Sequence, residues 1–219
     1  MTTALLFDLD GTLVDTDHVH FSALSKVFAD HGVALDFPTY RSRIMGGSNV
    51  DIAREFLGHL PFEKGLAELY RKEALYREEL AELTPVAGVV HLIDKALARR
   101  LPIAVVTNAP RLNADLVLKG LGLAERLPLV VLGDELAHGK PHPLPYLTGL
   151  EKTGGVAARS VAFEDSASGI RAAVAAGIPV IGLATALDEA RLLELGAVMA
   201  VKDFNDPRVW AFIETQVAG

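Results

Sequence analysis

Asp8 and Asp10 stand two residues apart in the stretch Phe7-Asp8-Leu9-Asp10-Gly11-Thr12. Side chains alternate along an extended backbone, so both carboxylates project to the same side. Such a pair can divide labour: one carboxylate attacks phosphorus and becomes an aspartyl phosphate, while the other protonates the leaving oxygen and later activates water. In isolation the same residues would also suit a pair of solvated turn acids. Further chemistry-bearing residues follow other short apolar runs: Thr107-Asn108, Gly133-Asp134-Glu135 and Glu164-Asp165-Ser166. Carboxylates gathered around one crevice repel each other strongly unless a cation sits among them.

The apolar runs are the elements that would position these groups. Ala4–Phe7, Ile103–Val106, Leu129–Leu132, Val161–Phe163 and Val180–Leu183 read as buried strands, with Ala197–Val201 as a sixth, edge candidate. Stretches of helix formers separate them, and alternation of strand and helix predicts an α/β fold with a parallel, doubly wound sheet. Ligands of such sheets bind beyond the carboxyl ends of the strands, where the acids lie. About 90 residues separate the first two strands, far more than a βα unit needs. A helical insertion over residues 17–83, ending near Thr84-Pro85, accounts for the excess. The expected division is a core of residues 1–16 and 84–219 with a helical subdomain between.

The 219 residues carry a net charge of −7, are 50% hydrophobic and 22% charged, and include no cysteine. This is the composition of a globular protein, without disulfides, thiolate metal sites or a cysteine nucleophile. No lysine- and arginine-rich stripe is present to hold nucleic acid or anionic lipid. No run approaches the roughly 20 apolar residues of a membrane helix, and the start MTTALLFDLD lacks the features of a signal peptide. A cytoplasmic protein is expected.

Asp8-Leu9-Asp10-Gly11-Thr12-Leu13-Val14-Asp15-Thr16 resembles the first motif of haloacid dehalogenase superfamily phosphatases. Thr107-Asn108 matches the second motif, Lys140-Pro141 the third, and Glu164-Asp165-Ser166 with Gly169 the fourth. Four motifs in order are far more specific than any one. The resemblance implies a Rossmann-like core and hydrolysis of a small phosphorylated metabolite, a sugar or polyol phosphate. It makes Asp8 the nucleophile and Asp10 the general acid/base. Mg²⁺ would be held by Asp8, the Asp10 carbonyl and the carboxylates of Glu164 and Asp165, with Asp165 as the direct ligand and Glu164 direct or through water. Lys140 would place its charge between Asp8 and the transferring group, and Thr107 and Asn108 would donate to the phosphate. His142 would support its loop or a helix start.

The insertion resembles the helical cap of the subgroup that includes β-phosphoglucomutases and small-sugar or glycerol phosphatases. His18 and His20, about 200° apart on a helix, cannot both face the site; His20 matches the family position near the acid/base, and His18 is expected to be exposed. Arg43, Gly46, Ser48, Asn49 and Lys72 are the candidates for substrate contact. β-Phosphoglucomutases carry an arginine just after the cap Gly-x-Ser, whereas here Asn49 stands at that place. A phosphomutase and a non-enzymatic phospho-acceptor or sugar-phosphate-binding module remain the alternatives. A dehalogenase on the same fold would lack the second aspartate.

Overall fold

The computed structural model describes residues 2–81 and 83–218; Glu82, at the end of the expected insertion, lies outside the described residues. Six strands, β1 (Leu5–Phe7), β2 (Ile103–Thr107), β3 (Val130–Leu132), β4 (Val161–Glu164), β5 (Val180–Leu183) and β6 (Met199–Val201), form one sheet. Its order is β3-β2-β1-β4-β5-β6, and every pairing is parallel. All six expected strands are present, and the last is indeed an edge. Strand β1 lies where the order reverses, so the carboxyl ends of β1, β2 and β4 open onto the crevice that a doubly wound sheet offers to a ligand.

Apart from Thr107 and Glu164 at their carboxyl ends, the strands are apolar because both faces of the sheet are covered. Leu5, Phe7, Val105, Phe163 and Ile181 enter one buried cluster, and Leu6, Ala104, Val106, Ala162 and Val180 the other. The period of two thus divides each strand between two cores.

Between β1 and β2 the chain forms α1 (Asp17–Asp30), α2 (Phe37–Thr39), a π-helical turn at Tyr40–Ile44, α3 (Asn49–Phe56) and α4 (Phe62–Glu79). These enclose a third apolar cluster that includes Leu24, Phe28, Tyr40, Ile52, Leu57 and Leu69. The chain leaves and returns at one place: Val14 bridges Pro85, and the Val86 amide donates to Leu13 O at 2.9 Å. The remaining helices are α5 (Val89–Ala98), α6 (Arg111–Gly120), α7 (Leu144–Thr153), α8 (Ala167–Ala175), α9 (Glu189–Glu194) and α10 (Pro207–Ala218). Among the described residues no helix is long and apolar enough to cross a membrane.

Phe163, in the centre of the sheet, is fully buried and stacks on Phe7 at 4.5 Å, with Phe204 beside both. Phe163→Ala is expected to lower the unfolding free energy by about 3–5 kcal/mol, read from the urea midpoint; a loss under about 1 kcal/mol would show that these rings do not tie the two halves of the sheet together.

Candidate active site

Asp8 follows directly on β1, with its amide hydrogen-bonded to Phe163 O at 3.0 Å. The chain then turns tightly: Leu13 N donates to Leu9 O and Gly11 N to Val14 O. Gly11 has φ +77°, and a Cβ there would collide with the Asp165 carboxylate, so the turn closes around the acid delivered by β4. Thr185, beyond β5, fastens the turn by donating to Gly11 O at 2.6 Å.

Lys140 comes from the segment between β3 and α7 and is 2% exposed. Its Nζ lies 2.5 Å from Asp8 Oδ1 and 2.5 Å from Glu164 Oε1. Asn108, beyond β2, fixes the backbone of Lys140: Oδ1 accepts from Lys140 N at 2.9 Å, and Nδ2 donates to Lys140 O at 3.0 Å. Both oxygens of Glu164 are engaged, since Tyr146 also donates to its Oε1 and Ser166 to its Oε2. Asp165 Oδ1, by contrast, is buried with no hydrogen-bond partner among the described residues.

Burial pushes the Asp8 carboxyl up; Lys140 opposes this, Glu164 adds to it, and the result is about 8. Asp165 is driven well above the usual carboxylate range by burial and by the charges of Asp8 and Glu164. Burial alone would lower the Lys140 ammonium, but Asp8 and Glu164 outweigh it and hold the group above its ordinary value. One ammonium does not balance three buried carboxylates. Asp8, Glu164 and Asp165 offer oxygens within 4.8 Å of one another, a hard donor set that fits a divalent metal ion. Among the described residues Asp165 Oδ1 is the fully buried carboxylate oxygen of these acids left without a donor, and Glu164 is committed to Lys140, Tyr146 and Ser166.

Asp10 is held by a separate chain of contacts. Thr16 donates to its Oδ1 at 2.6 Å, and His20 Nε2 lies 3.3 Å from the same oxygen. Lys72 Nζ stands 3.0 Å from His20 Nδ1. An ammonium has no lone pair, so Nδ1 accepts and the ring proton sits on Nε2, facing Asp10. Lys72 also donates to Glu73 Oε1 at 3.0 Å, Glu73 Oε2 accepts from Asn113 Nδ2 at 2.7 Å, and Asn113 Oδ1 accepts from Arg77 at 2.7 Å. Burial pushes Asp10 up, yet His20 and Thr16 outweigh it and keep the carboxyl below its usual range. It is a base at rest.

One cleft brings together Asp8, Asp10, His20, Gly46, Asn49, Lys72, Thr107, Asn108, Lys140 and Asp165 among the residues expected from sequence. Two do not face it. Arg43 meets Glu55 at 2.5 Å and lies over the Phe56 ring, in solvent. Ser48 caps α3, accepting from Asp51 N and donating to the Asp51 carboxylate. The Asn108 amide is spent on backbone, since Nδ2 also donates to Gly46 O at 3.0 Å, where Ser168 Oγ donates as well. That leaves the phosphate-donor expectation to the Thr107 hydroxyl, which accepts from Ala109 N and keeps its own proton free. His142 accepts from Leu144 N at the start of α7, and His18 is exposed against Phe37.

Sequence reasoning missed Glu73, Asp17, Tyr40, Asn113 and the role of Tyr146. A signal for Glu73 existed. Gly65, Leu69, Lys72, Glu73 and Tyr76 are the buried residues of α4, and their spacing is that of one helical stripe. Two charged residues in register with Leu69 and Tyr76 point inward.

The sequence pattern of the haloacid dehalogenase-like hydrolases matches residues 5–183. Validoxylamine A 7'-phosphate phosphatase of Streptomyces hygroscopicus subsp. limoneus is 33% identical, over 97% of this chain and 99% of its own. A phosphorylated carbohydrates phosphatase of Thermotoga maritima is 33% identical, over 91% and 94%. In fold, the chain superposes on the crystal structure of an HAD hydrolase, family IA, variant 3, from Entamoeba histolytica with a TM-score of 0.87 and 24% identity, covering 99% of this chain and 100% of that one.

Lys140→Met takes away the ammonium shared by Asp8 and Glu164 while keeping the bulk of the side chain. Urea titration without added metal is expected to show a loss of about 3–5 kcal/mol, as for any buried pair robbed of one partner. Arg43→Ala, at a solvent-exposed pair, is expected to change stability by less than about 1 kcal/mol. Equal effects would refute the special standing of Lys140.

Proposed function

Because the chain belongs to the haloacid dehalogenase-like hydrolases, we propose that it is a Mg²⁺-dependent phosphatase that hydrolyses the phosphate monoester of a small sugar or polyol through an aspartyl phosphate on Asp8. The observation that carries this reading is that Asp8 is held by the Lys140 ammonium at 2.5 Å and also offers an oxygen within 4.8 Å of oxygens of Glu164 and Asp165. The relatives' names, one a validoxylamine A 7'-phosphate phosphatase and the other a phosphorylated carbohydrates phosphatase, support a sugar-like alcohol.

Lys140 engages one oxygen of Asp8 and leaves the other to attack phosphorus in line. A phosphate dianion beside Asp10 raises its proton affinity, so it enters the first step as an acid and protonates the departing alcohol oxygen. Left as a carboxylate, and oriented by Thr16 and His20, it then takes a proton from the water that attacks the aspartyl phosphate. The Thr107 hydroxyl, with its proton free, donates to a phosphate oxygen. Mg²⁺, held by Asp8, Asp165 and the Asp10 carbonyl, would neutralise and orient the oxygens of the transferring group. Glu164 acts through Lys140. Residues 17–83 work as a cap that keeps bulk water from the site and meets the alcohol half of the substrate. A mutase would need a second phosphate site there, and neither Asn49 nor the outward-facing Arg43 supplies its charge.

A hydrolysis screen over phosphorylated metabolites tests the reading as a whole. Hexose 1-phosphate is expected to release inorganic phosphate without accumulation of the 6-phosphate; isomer formation faster than phosphate release would make the protein a mutase. Asp8→Asn should fold and show essentially no turnover, whereas Asp10→Asn should impair alkyl phosphates more than aryl phosphates, whose leaving groups need less protonation. Easily measured turnover by Asp8→Asn would remove it as the nucleophile.

Chelation should abolish turnover and Mg²⁺ restore it, with Ca²⁺ inhibiting through its larger, more flexible shell. Asp165→Ala is expected to shift the Mg²⁺ titration further than Lys140→Ala does, because only the first change takes away a ligand. Superimposable titration curves would contradict that division.

A further inference from the structure

Three charged side chains from residues 17–83 line the cleft: Asp17, Lys72 and Glu73. All three are buried. Lys72 is the one cation among them, and its ammonium is already engaged by Glu73 at 3.0 Å on one side and His20 on the other. Glu73 is fixed in turn by Asn113; burial pushes its carboxyl up, but Lys72 and His20 outweigh this and hold it below the ordinary range. Asp17 Oδ1 accepts from the Tyr40 hydroxyl at 3.1 Å, and among the described residues no cation pairs with it. Among the described residues no arginine lines the cleft.

The alcohol half of a bound ester therefore meets two carboxylates and one neutralised ammonium. A carboxylate or second phosphate brought there would lose its water and gain no free positive charge, and such like-charge juxtaposition is strongly unfavourable. Hydroxyl groups fare differently. They can donate to Asp17 and Glu73 and accept from Lys72, and a site built of buried polar groups discriminates sharply between ligands that satisfy them and ligands that do not.

We propose that Glu73 and Asp17 are specificity-determining residues that restrict the cleft to phosphate monoesters whose alcohol half is uncharged and hydroxylated, excluding esters with a carboxylate or a second phosphate. The inference rests on the phosphatase reading above and adds the charge of the leaving group to it.

The test uses a matched pair of esters, 2-hydroxyethyl phosphate and 2-phosphoglycolate, which differ in a hydroxymethyl group against a carboxylate. The wild type is expected to favour the hydroxyethyl ester in kcat/KM by about tenfold or more, and Glu73→Gln or Asp17→Asn to narrow that ratio by about tenfold. The narrowing should come from a gain on phosphoglycolate, which a loss of structure would not produce. Binding of the same two esters to the Asp8→Asn variant, measured by calorimetry, reads the preference without turnover. A wild type that prefers phosphoglycolate overturns the proposal, and so do folded variants whose ratio equals that of the wild type. Should the wild type release phosphate from neither ester, nor from any aryl phosphate, the phosphatase reading fails, and the calorimetric ratio still decides the part played by Glu73 and Asp17.

Discussion

The ammonium of Lys140, shared between Asp8 and Glu164, is the interaction on which the site depends. It joins the segment after β3 to the ends of β1 and β4, and it does so where side chains have almost no water. A buried charge of this kind persists only when every neighbour is arranged for it. Tyr146 and Ser166 satisfy Glu164, Asn108 fixes the lysine backbone, and Gly11 makes room for Asp165. The sheet order is what lets these groups meet, because only at its reversal point do residues as distant in sequence as Asp8, Asn108 and Glu164 become neighbours.

Much of this was legible in the sequence. A strand buried on both faces has to be apolar along most of its length, so the six runs announce themselves, and the polar residues at their ends mark the crevice. The spacing of Asp8 and Asp10 put them on one side of the chain. What spacing did not disclose is that the two carboxylates sit in different electrostatic surroundings: Asp8 beside Lys140 and other acids, Asp10 beside Thr16 and His20. Their pKa values move in opposite directions as a result.

The segment between the first two strands was less legible, for a physical reason. A charged helix residue is normally solvated, and Lys72 and Glu73 look like ordinary surface residues of a charged helix until they are placed on the stripe that runs through Leu69 and Tyr76. The opposite error concerns Arg43. Near a glycine-rich turn it resembles a ligand contact, yet its guanidinium has a carboxylate and an aromatic ring within reach outside the cleft. Orientation around a helix axis decides both cases, and in neither does the residue type reveal it.

Gly46 presents its carbonyl oxygen to the core at two places, accepting from Asn108 beyond β2 and from Ser168 in the first turn of α8. The acceptor is a backbone oxygen, so the seat draws nothing from a side chain on the cap side, but it does need a glycine, because at φ +71° any side chain on residue 46 would press against Ser166 and Ser168. The walls around the substrate can therefore change residue by residue without touching the atom that fastens this segment to the core.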